Sequence, residues 1–296
     1  MWYYSAVLIR GKRRTDRENE MKKIRIISFI LICCMALTLC AGCGNKAGYT
    51  PVGKMADGLM EVKAGTADVA IVDSVMAEAM VGEGTDYSEL GIVDGLVLAT
   101  EEYGIGFRSG STAVAKVDEA MQAIMADGTL AAIAEKYGLS LSLAEELVPL
   151  GDTGEGDGSD DWAYIKDKGT LVIGITEFAP MNYYDESGKL VGFETEFAEA
   201  VCAYLGVTPE FQVINWKTKE VELNAKTIDC IWNGMTIDED RMANMDFSCP
   251  YMVNKQIVVA KADKLDKFDS EDKLAKALIV AEEGSAGESC ALEIFG

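Results

Sequence analysis

Short apolar runs alternate with segments of helical periodicity along most of the chain. In the first half, strands are predicted over residues 49–52, 67–72, 96–99 and 104–107, and helices over 55–64, 74–81 and 111–138. In the second half, strands are predicted over 171–175, 211–214, 228–232, 256–260 and 278–281, and helices over 193–205, 216–225 and 270–276. Strands that alternate with helices indicate an α/β fold.

One polar stretch interrupts this pattern. Residues 151–161 (GDTGEGDGSDD) contain four glycines, five acidic residues and no apolar side chain. Such a composition cannot bury apolar surface and is typical of a flexible linker. It separates a segment of residues 46–150 from a segment of residues 162–296. The second segment closes on a helix after residues 283–287 that we expect to stop almost at once, inside a structural unit.

Residues 1–43 follow a different pattern. Basic residues precede an apolar run over 24–41, as in a signal peptide. The run ends in residues 39–43 (LCAGC), which resemble a bacterial lipobox, although Cys40 stands where leucine is usual. We therefore expect an N-terminal extension and lipoprotein signal peptide over 1–43, lipid on Cys43, and anchoring outside the cytoplasm to the bacterial cell membrane. An uncleaved membrane anchor is the alternative, since about 18 apolar residues can just span a bilayer.

The composition excludes several classes of function. The 296 residues include no histidine, which rules out His-based triads and His metal sites. A net charge of −22 argues against nucleic-acid binding, which needs clustered cations. The cysteines beyond the N-terminal region have no CxxC spacing, so that neither a metal nor a cofactor is expected. Their pairing stays open, with buried free thiols as the default: Cys202, Cys230, Cys249 and Cys290.

Several short motifs have the order and spacing of one known family. They are residues 171–176 (LVIGIT), 178–183 (FAPMNY), 188–193 (GKLVGF), 229–236 (DCIWNGMT), 245–251 (MDFSCPY) and 284–287 (GSAG). The segment that holds them resembles the first part of the extracytoplasmic solute-binding proteins that deliver polar amino acids to ABC importers. The first segment resembles the remaining part of the sequence of these proteins. The matching residues are 64–73 (AGTADVAIVD), 102–108 (EYGIGFR) and 120–138.

The two segments stand in the reverse of the family order. The resemblance therefore implies a two-lobed periplasmic-binding-protein type 2 (Venus-flytrap) fold that is circularly permuted. Residues 162–296 would be the N-terminal half, 46–150 the C-terminal half, and 151–161 the link between the usual ends. Such a link reaches at most about 36 Å, enough to join ends on one face. Two alternatives stay open: the halves could pair between chains, or the chain could be a recombined remnant that binds nothing.

The resemblance also implies a binding site for the main-chain groups of an amino acid. Arg241, five positions after Thr236, would hold the ligand carboxylate together with the Thr236 hydroxyl. Asp73, at the end of an apolar run, would hold the ammonium group. The alternatives are an ion pair of Arg241 with Asp238 or Asp240, and helix-capping roles for Thr236 and Asp73.

Further positions complete the implied site. Ser285 and Ala286 open a helix, whose free N–H groups could help to hold the carboxylate. Gly234 would let its carbonyl approach the ammonium group. Phe178 and Trp232 would form walls of the side-chain pocket, with core packing as the alternative for Trp232.

The expected function follows from this resemblance. The protein would be no enzyme: it would bind a polar amino acid between two lobes and dock, when closed, on an ABC permease. Dehydratase-like or lytic-transglycosylase-like enzymes on the same fold are an alternative, with Glu194 or Asp185 as the acid or base. The motifs do not identify the amino acid, because Arg241 and Asp73 would recognise any of them.

Overall fold

The structure is a computed structural model that describes residues 47–151 and 160–296. The expected signal peptide, the Cys43 lipid site and most of the predicted linker lie outside these ranges. Within the two ranges, none of the helices is both long and apolar enough to cross a membrane. The four cysteines of the second segment are buried and unpaired.

Nine of the eleven strands in the described ranges form one mixed sheet. The strands are β1 Gly48–Val52, β2 Val69–Asp73, β3 Leu90–Arg108, β4 Thr170–Ile175, β5 Tyr183–Tyr184, β6 Leu190–Val191, β7 Thr208–Val213, β8 Cys230–Thr236, β9 Met245–Phe247, β10 Met252–Lys261 and β11 Leu278–Glu282. The sheet order is β1-β11-β2-β10-β3-β8-β4-β7, with β9 also on β3, while β5 and β6 form a separate ribbon.

Ten α-helices in the described ranges cover this sheet. They are α1 Met55–Ala64, α2 Ser74–Met80, α3 Ala113–Ala126, α4 Thr129–Lys136, α5 Asp161–Lys168, α6 Phe193–Leu205, α7 Lys219–Asn224, α8 Glu239–Met242, α9 Glu271–Leu274 and α10 Ala286–Phe295. Two 3₁₀ turns, Trp216–Thr218 and Ala262–Lys267, join neighbouring elements. The arrangement confirms the predicted α/β class.

Strand β3 divides the sheet into two parts. Its first part pairs with β10 as far as Tyr103, and its second part pairs with β8 and β9. Strands β1, β11, β2 and β10 with helices α1, α2, α9 and α10 are named the β2 lobe below. Strands β4, β7, β8 and β9 with helices α3 to α8 are named the β4 lobe. Strand β3 belongs to both lobes and joins them.

Both segments that flank the predicted linker build both lobes. In the β2 lobe, β2 from the first segment lies between β10 and β11 from the second. Edge strand β1 pairs in parallel with β11, from Gly48 opposite Leu278 to Val52 opposite Glu282. In the β4 lobe, α3 and α4 from the first segment pack against α6 from the second. The two segments therefore share one sheet and do not fold as separate domains.

Local sequence explains why the best-predicted elements form. Strand β2 is apolar up to its last residue and buried throughout, as expected for a strand whose two faces are covered. Helix α1 ends where Gly65 adopts φ 79°, a left-handed conformation that glycine accepts at no steric cost. The bounds of α1 and α6 are those predicted from the sequence.

Other elements differ from the prediction. Strand β3 is continuous over 19 residues, although two short strands were predicted, because the polar residues between them pair with β10. Strand β8, predicted to end at residue 232, continues to Thr236. Helix α10 runs for ten residues to Phe295 and does not stop at once. The short elements β5, β6, β9 and α8 were not predicted.

Candidate functional site

A small cavity lies between the two lobes. The β2 lobe lines it with Met55, Asp73, Glu282, Ser285 and Ala286, and the β4 lobe with Thr176, Phe178, Trp216, Asn233, Gly234, Thr236 and Arg241. Most of these residues lie on or just after the parallel strands β2 and β11 in one lobe and β4 and β8 in the other. Met55 follows β1 and Trp216 follows β7. Ligand sites of α/β proteins collect at the carboxyl ends of such strands. The structure thus brings together all the sequence-predicted site residues except Trp232.

Arg241, in the short helix α8, is held by three bonds. Its Nη1 donates to the carbonyl oxygen of Thr236 at 2.9 Å, and its Nη2 donates to that of Gly284 at 3.3 Å. Its Nε pairs with Asp238 at 3.2 Å, so the predicted alternative of an ion pair with Asp238 is present. A guanidinium has five N–H groups. One N–H on each Nη therefore makes no bond to the described residues and is left for a further acceptor, such as a carboxylate oxygen.

Asp73 ends β2 and is 4% exposed. Its carboxylate accepts hydrogen bonds from the Tyr103 hydroxyl and the Gln256 amide. Burial raises the pKa of Asp73, and repulsion by Glu101 raises it further, while the two hydrogen bonds and nearby Arg241 oppose the shift. Although Asp73 occupies the N-cap position of α2, its side chain makes no capping bond. The Asp73 side chain therefore bonds to Tyr103 and Gln256 and not to the start of the helix.

Glu101, in the middle of β3, is a buried acid that adjoins the cavity-lining residues. It accepts hydrogen bonds from the Asn254 amide at 2.6 Å, the Gln256 amide at 2.8 Å and the Thr236 hydroxyl at 3.2 Å. The Thr236 hydroxyl therefore donates within the protein, although the resemblance implied that it would donate to a ligand carboxylate.

Glu282 is a cavity-lining acid that the sequence analysis missed. It ends β11 and is 6% exposed, and its Oε1 has no hydrogen-bond partner among the described residues. Burial raises its pKa to about 8; Asp73 adds to the shift and Lys219 opposes it. A sequence signal existed, because Glu282 follows the apolar run 278–281 just as Asp73 follows 67–72.

The loop between β11 and α10 belongs to the β2 lobe and accepts hydrogen bonds from side chains of the β4 lobe. The carbonyl oxygen of Gly284 accepts hydrogen bonds from Arg241 and also from Lys219, the latter at 3.0 Å. Ser285 caps α10, since its Oγ accepts from the N–H of Glu288 at 3.1 Å. The first-turn N–H groups of a helix have no partner within the helix. Ala286, which lines the cavity, can therefore offer a backbone donor there.

Two aromatic side chains line the β4 side of the cavity, Phe178 and Trp216. Gly234 has φ 57°, and a Cβ on it would lie 2.5 Å from Cε1 of Phe178. Only glycine fits this close approach of the β8 backbone to the ring. Trp216 was not predicted as a site residue; it opens the 3₁₀ turn that follows β7.

Trp232 does not line the cavity. It is 1% exposed and packs edge-on against Phe197, with ring centroids 5.0 Å apart. The side chains of β8 do not alternate regularly here, because its pairing with β3 shifts register between Ile231 and Met235 and Gly234 has φ 57°. In this strand Asn233, Gly234 and Thr236 line the cavity. The core alternative holds for Trp232, and Trp216 supplies an aromatic wall of the cavity instead.

The acids considered for catalysis lie outside the cavity lining. Glu194 is buried and accepts hydrogen bonds from the Asn182 amide at 2.7 Å, the Gly234 N–H at 2.8 Å and the Tyr251 hydroxyl. Burial raises the pKa of Glu194 to about 7. Asp185 lies in the turn between β5 and β6, where its carboxylate binds backbone N–H groups of that turn.

Two α/β lobes around a cavity with charged groups on both walls define a ligand-binding cleft. Residues 171–282 match the family of bacterial extracellular solute-binding proteins, family 3. This match confirms the resemblance stated from the motifs of the second segment.

Individual relatives agree with the family match. The L-cystine-binding protein TcyJ of Escherichia coli (strain K12) is 34% identical over 102 residues, which are 34% of this chain and 38% of the relative. The L-cystine-binding protein TcyA of Bacillus subtilis (strain 168) is 35% identical over 111 residues, 36% of this chain and 40% of the relative. A probable histidine-binding protein of Neisseria gonorrhoeae is 30% identical over 164 residues, 54% of this chain and 60% of the relative. The chain thus spans less than two thirds of the length of these curated relatives.

Proposed function

We propose that the protein binds a polar amino acid between its lobes outside the cytoplasm and delivers it to the permease of an ABC importer. One observation carries the proposal: Arg241, with two N–H groups that bind no described residue, and the buried carboxylate of Asp73 line one cavity from opposite lobes. An α-amino acid presents a carboxylate and an ammonium group close together, and therefore needs a fixed cation and a fixed anion. The effect of Arg241 on the pKa of Asp73 supports their closeness.

The roles of the lining residues follow from this pairing. Arg241 holds the ligand carboxylate, with the N–H of Ala286 at the start of α10 as a further donor. Asp73 holds the ammonium group, and Gly234 provides close access to the β8 backbone. A ligand held by groups from both lobes stabilises their closed arrangement, which is the form that a permease can recognise. The names of the relatives, which refer to cystine and histidine, support an amino acid as ligand.

The chain order is part of the proposal. Residues 162–296 and 46–150 are the two halves of a solute-binding protein in circularly permuted order, joined by 151–161. The position of β2 between β10 and β11 supports pairing of the halves within one chain. Permutation is tolerated where the same contacts can form and only loop closure changes.

The N-terminal region completes the proposed protein. Residues 1–43 comprise the N-terminal extension and lipoprotein signal peptide, with cleavage before Cys43, whose acylated thiol holds the protein on the membrane. The support is the sequence pattern of basic residues, apolar run and lipobox-like end. We assign no enzymatic role, because the candidate acids Glu194 and Asp185 do not line the cavity.

Calorimetric titration of the purified full chain with each of the twenty amino acids tests the proposal. We expect 1:1 binding of at least one of them. Asp73→Asn should weaken binding by about 30-fold or more, because loss of one partner of a buried charge pair costs about 2–5 kcal/mol. Glu78→Gln, on the exposed side of α2, is the matched control and should bind normally. Absence of binding with every amino acid would contradict the proposal.

A further inference from the structure

The β2 lobe brings two carboxylates to the cavity, one more than the ammonium group of an amino acid needs. Asp73 and Glu282 end neighbouring parallel strands, in which Val280 lies opposite Ala70. Both carboxylates line the same cavity. Repulsion by Asp73 contributes to the raised pKa of Glu282, as expected for two acids that lie close together.

The two acids differ in what the protein provides for them. Asp73 accepts two hydrogen bonds, whereas Oε1 of Glu282 accepts none from the described residues. Buried polar atoms are nearly always hydrogen-bonded, and a buried charge without a partner is costly. Glu282 is thus a buried acceptor on the cavity wall whose partner the protein does not supply.

The cations near Glu282 are engaged elsewhere. The ammonium group of Lys219 donates to the carbonyl oxygens of Trp216 at 3.3 Å and of Gly284 at 3.0 Å. The ammonium group of Lys54 pairs with Glu177 at 2.6 Å. Neither forms an ion pair with Glu282 in the described residues.

With both acids ionised, the charges of the cavity wall do not balance for a neutral amino acid. Among the described residues that line it, Arg241 is the one cation, and Asp73 and Glu282 are the two acids. A ligand that bears only an α-carboxylate and an α-ammonium group would use Arg241 and Asp73 and leave Glu282 without a partner. A ligand with one more positive charge balances the wall.

We propose that Glu282 is the specificity-determining residue of the cleft and selects amino acids with a cationic side chain, such as lysine, ornithine or arginine. The inference rests on the proposed function and names the class of its ligand. Trp216 and Phe178 line the same cavity and can cover the aliphatic stem of such a side chain, with cation–π attraction to its charged end. A second ligand carboxylate has no second cation on this wall.

Proton linkage follows from the same arrangement. Burial holds the pKa of Glu282 near 8, so that at pH 7 its carboxyl group is mainly protonated before a cation arrives. The charged groups that face it are Asp73, Asp57, Lys219 and Lys54. A cationic ligand displaces the proton from Glu282, whereas a neutral ligand of the same length leaves it in place.

Paired ligands separate the side-chain charge from side-chain size. The full chain is titrated with L-lysine against L-norleucine, which lacks only the terminal ammonium group, and with L-arginine against its neutral counterpart L-citrulline. We expect the cationic member of each pair to bind about 30-fold more tightly or better. In Glu282→Gln this preference should disappear through weaker binding of lysine and arginine, with norleucine and citrulline changed less than about 3-fold.

The adjacent acid provides the matched control. Glu283 pairs with Lys217 at 2.6 Å and does not line the cavity, so Glu283→Gln should keep the preference for cations. Binding of norleucine by Glu282→Gln shows that this variant is folded. If it does not fold, Glu282→Met takes its place and should likewise lose the preference for the cationic member of each pair.

The outcomes separate this inference from the proposed function. Neutral ligands that bind as tightly as their cationic counterparts overturn the inference and leave the proposed function standing. Equal losses for both members of a pair in Glu282→Gln show a structural role and also overturn it. Failure of all twenty amino acids to bind overturns the proposed function, and the inference with it.

Discussion

The two walls of the cavity support their charged groups in different ways. On the β4 side, three bonds hold the Arg241 guanidinium in one orientation and leave two N–H groups directed to other partners. On the β2 side, Tyr103 and Gln256 hold Asp73 in the same manner, but Oε1 of Glu282 receives no bond from the described residues. Groups that the protein holds in place suit the α-carboxylate and α-ammonium groups, which all amino acids share. An acid that lacks a protein partner suits the side chain, which differs between amino acids.

The largest effect should come from the fixed cation. Arg241→Gln removes the charge and the paired N–H groups, so every amino acid should bind at least about 100-fold more weakly, within the cost of breaking a buried charge pair. Calorimetric titration measures the loss. Asp238→Asn is the control, because it removes the charge beside Nε while the asparagine oxygen can still cap α8 by accepting the Arg241 N–H. Its effect should stay below about 5-fold. A loss below about 10-fold in Arg241→Gln would show that this wall does not bind the carboxylate.

The pH dependence should separate the two acids of the β2 wall. Both lysine and norleucine need ionised Asp73, so its titration cancels in the ratio of their dissociation constants. Only lysine needs ionised Glu282, whose pKa is raised to about 8. Below that pH each unit costs lysine binding about 1.4 kcal/mol, and its preference over norleucine should rise up to about tenfold per unit from pH 5 towards pH 8.

The same titration series in Glu282→Gln is the comparison for this pH effect. The lysine preference should be small and flat with pH in that variant. A preference that does not change with pH in the unmodified protein would mean that Glu282 is not the group that meets the side-chain cation.

The smallest effect is expected at the rim between the walls. Lys217 of the β4 lobe pairs with Glu283 of the β2 lobe at 2.6 Å, with side chains 60% and 39% exposed. Exposed ion pairs contribute about 0–1 kcal/mol, so Lys217→Gln should change affinity by less than about 5-fold. Lys116→Gln, which breaks a surface pair within α3, should change nothing. A tenfold loss of affinity in Lys217→Gln would show that the ion pair at the rim, and not only the cavity walls, contributes to ligand binding.

Much of the site could be predicted because its residues stand in local motifs. Asp73 follows an apolar run, Arg241 lies at a fixed distance from Thr236, and Gly234 stands within a strand. Each of these signals is contained in about ten consecutive residues. The bounds of α1 and α6 were predictable for the same reason, since a glycine follows each helix.

The remaining residues depend on contacts that are remote in sequence. Glu282 and Glu283 are neighbouring acids, and only the end of β11 and its packing beside β2 bury the first and expose the second. Trp232 packs in the core and Trp216, for which no site role was predicted, lines the cavity. The irregular register of β8 against β3, which depends on remote pairing, is not visible in the local sequence. The middle of β3 is polar, and its pairing with β10 overrides the local preference.

The carbonyl oxygen of Gly284 has a consequence for the kinetics of binding. It accepts hydrogen bonds from Arg241 and Lys219 of the opposite lobe, and these bonds join the two lobes without any contribution from a ligand. Separation of the lobes at this loop has to break both bonds. They therefore favour the closed arrangement before a ligand arrives, and they add to the barrier that a bound molecule meets when the cleft opens.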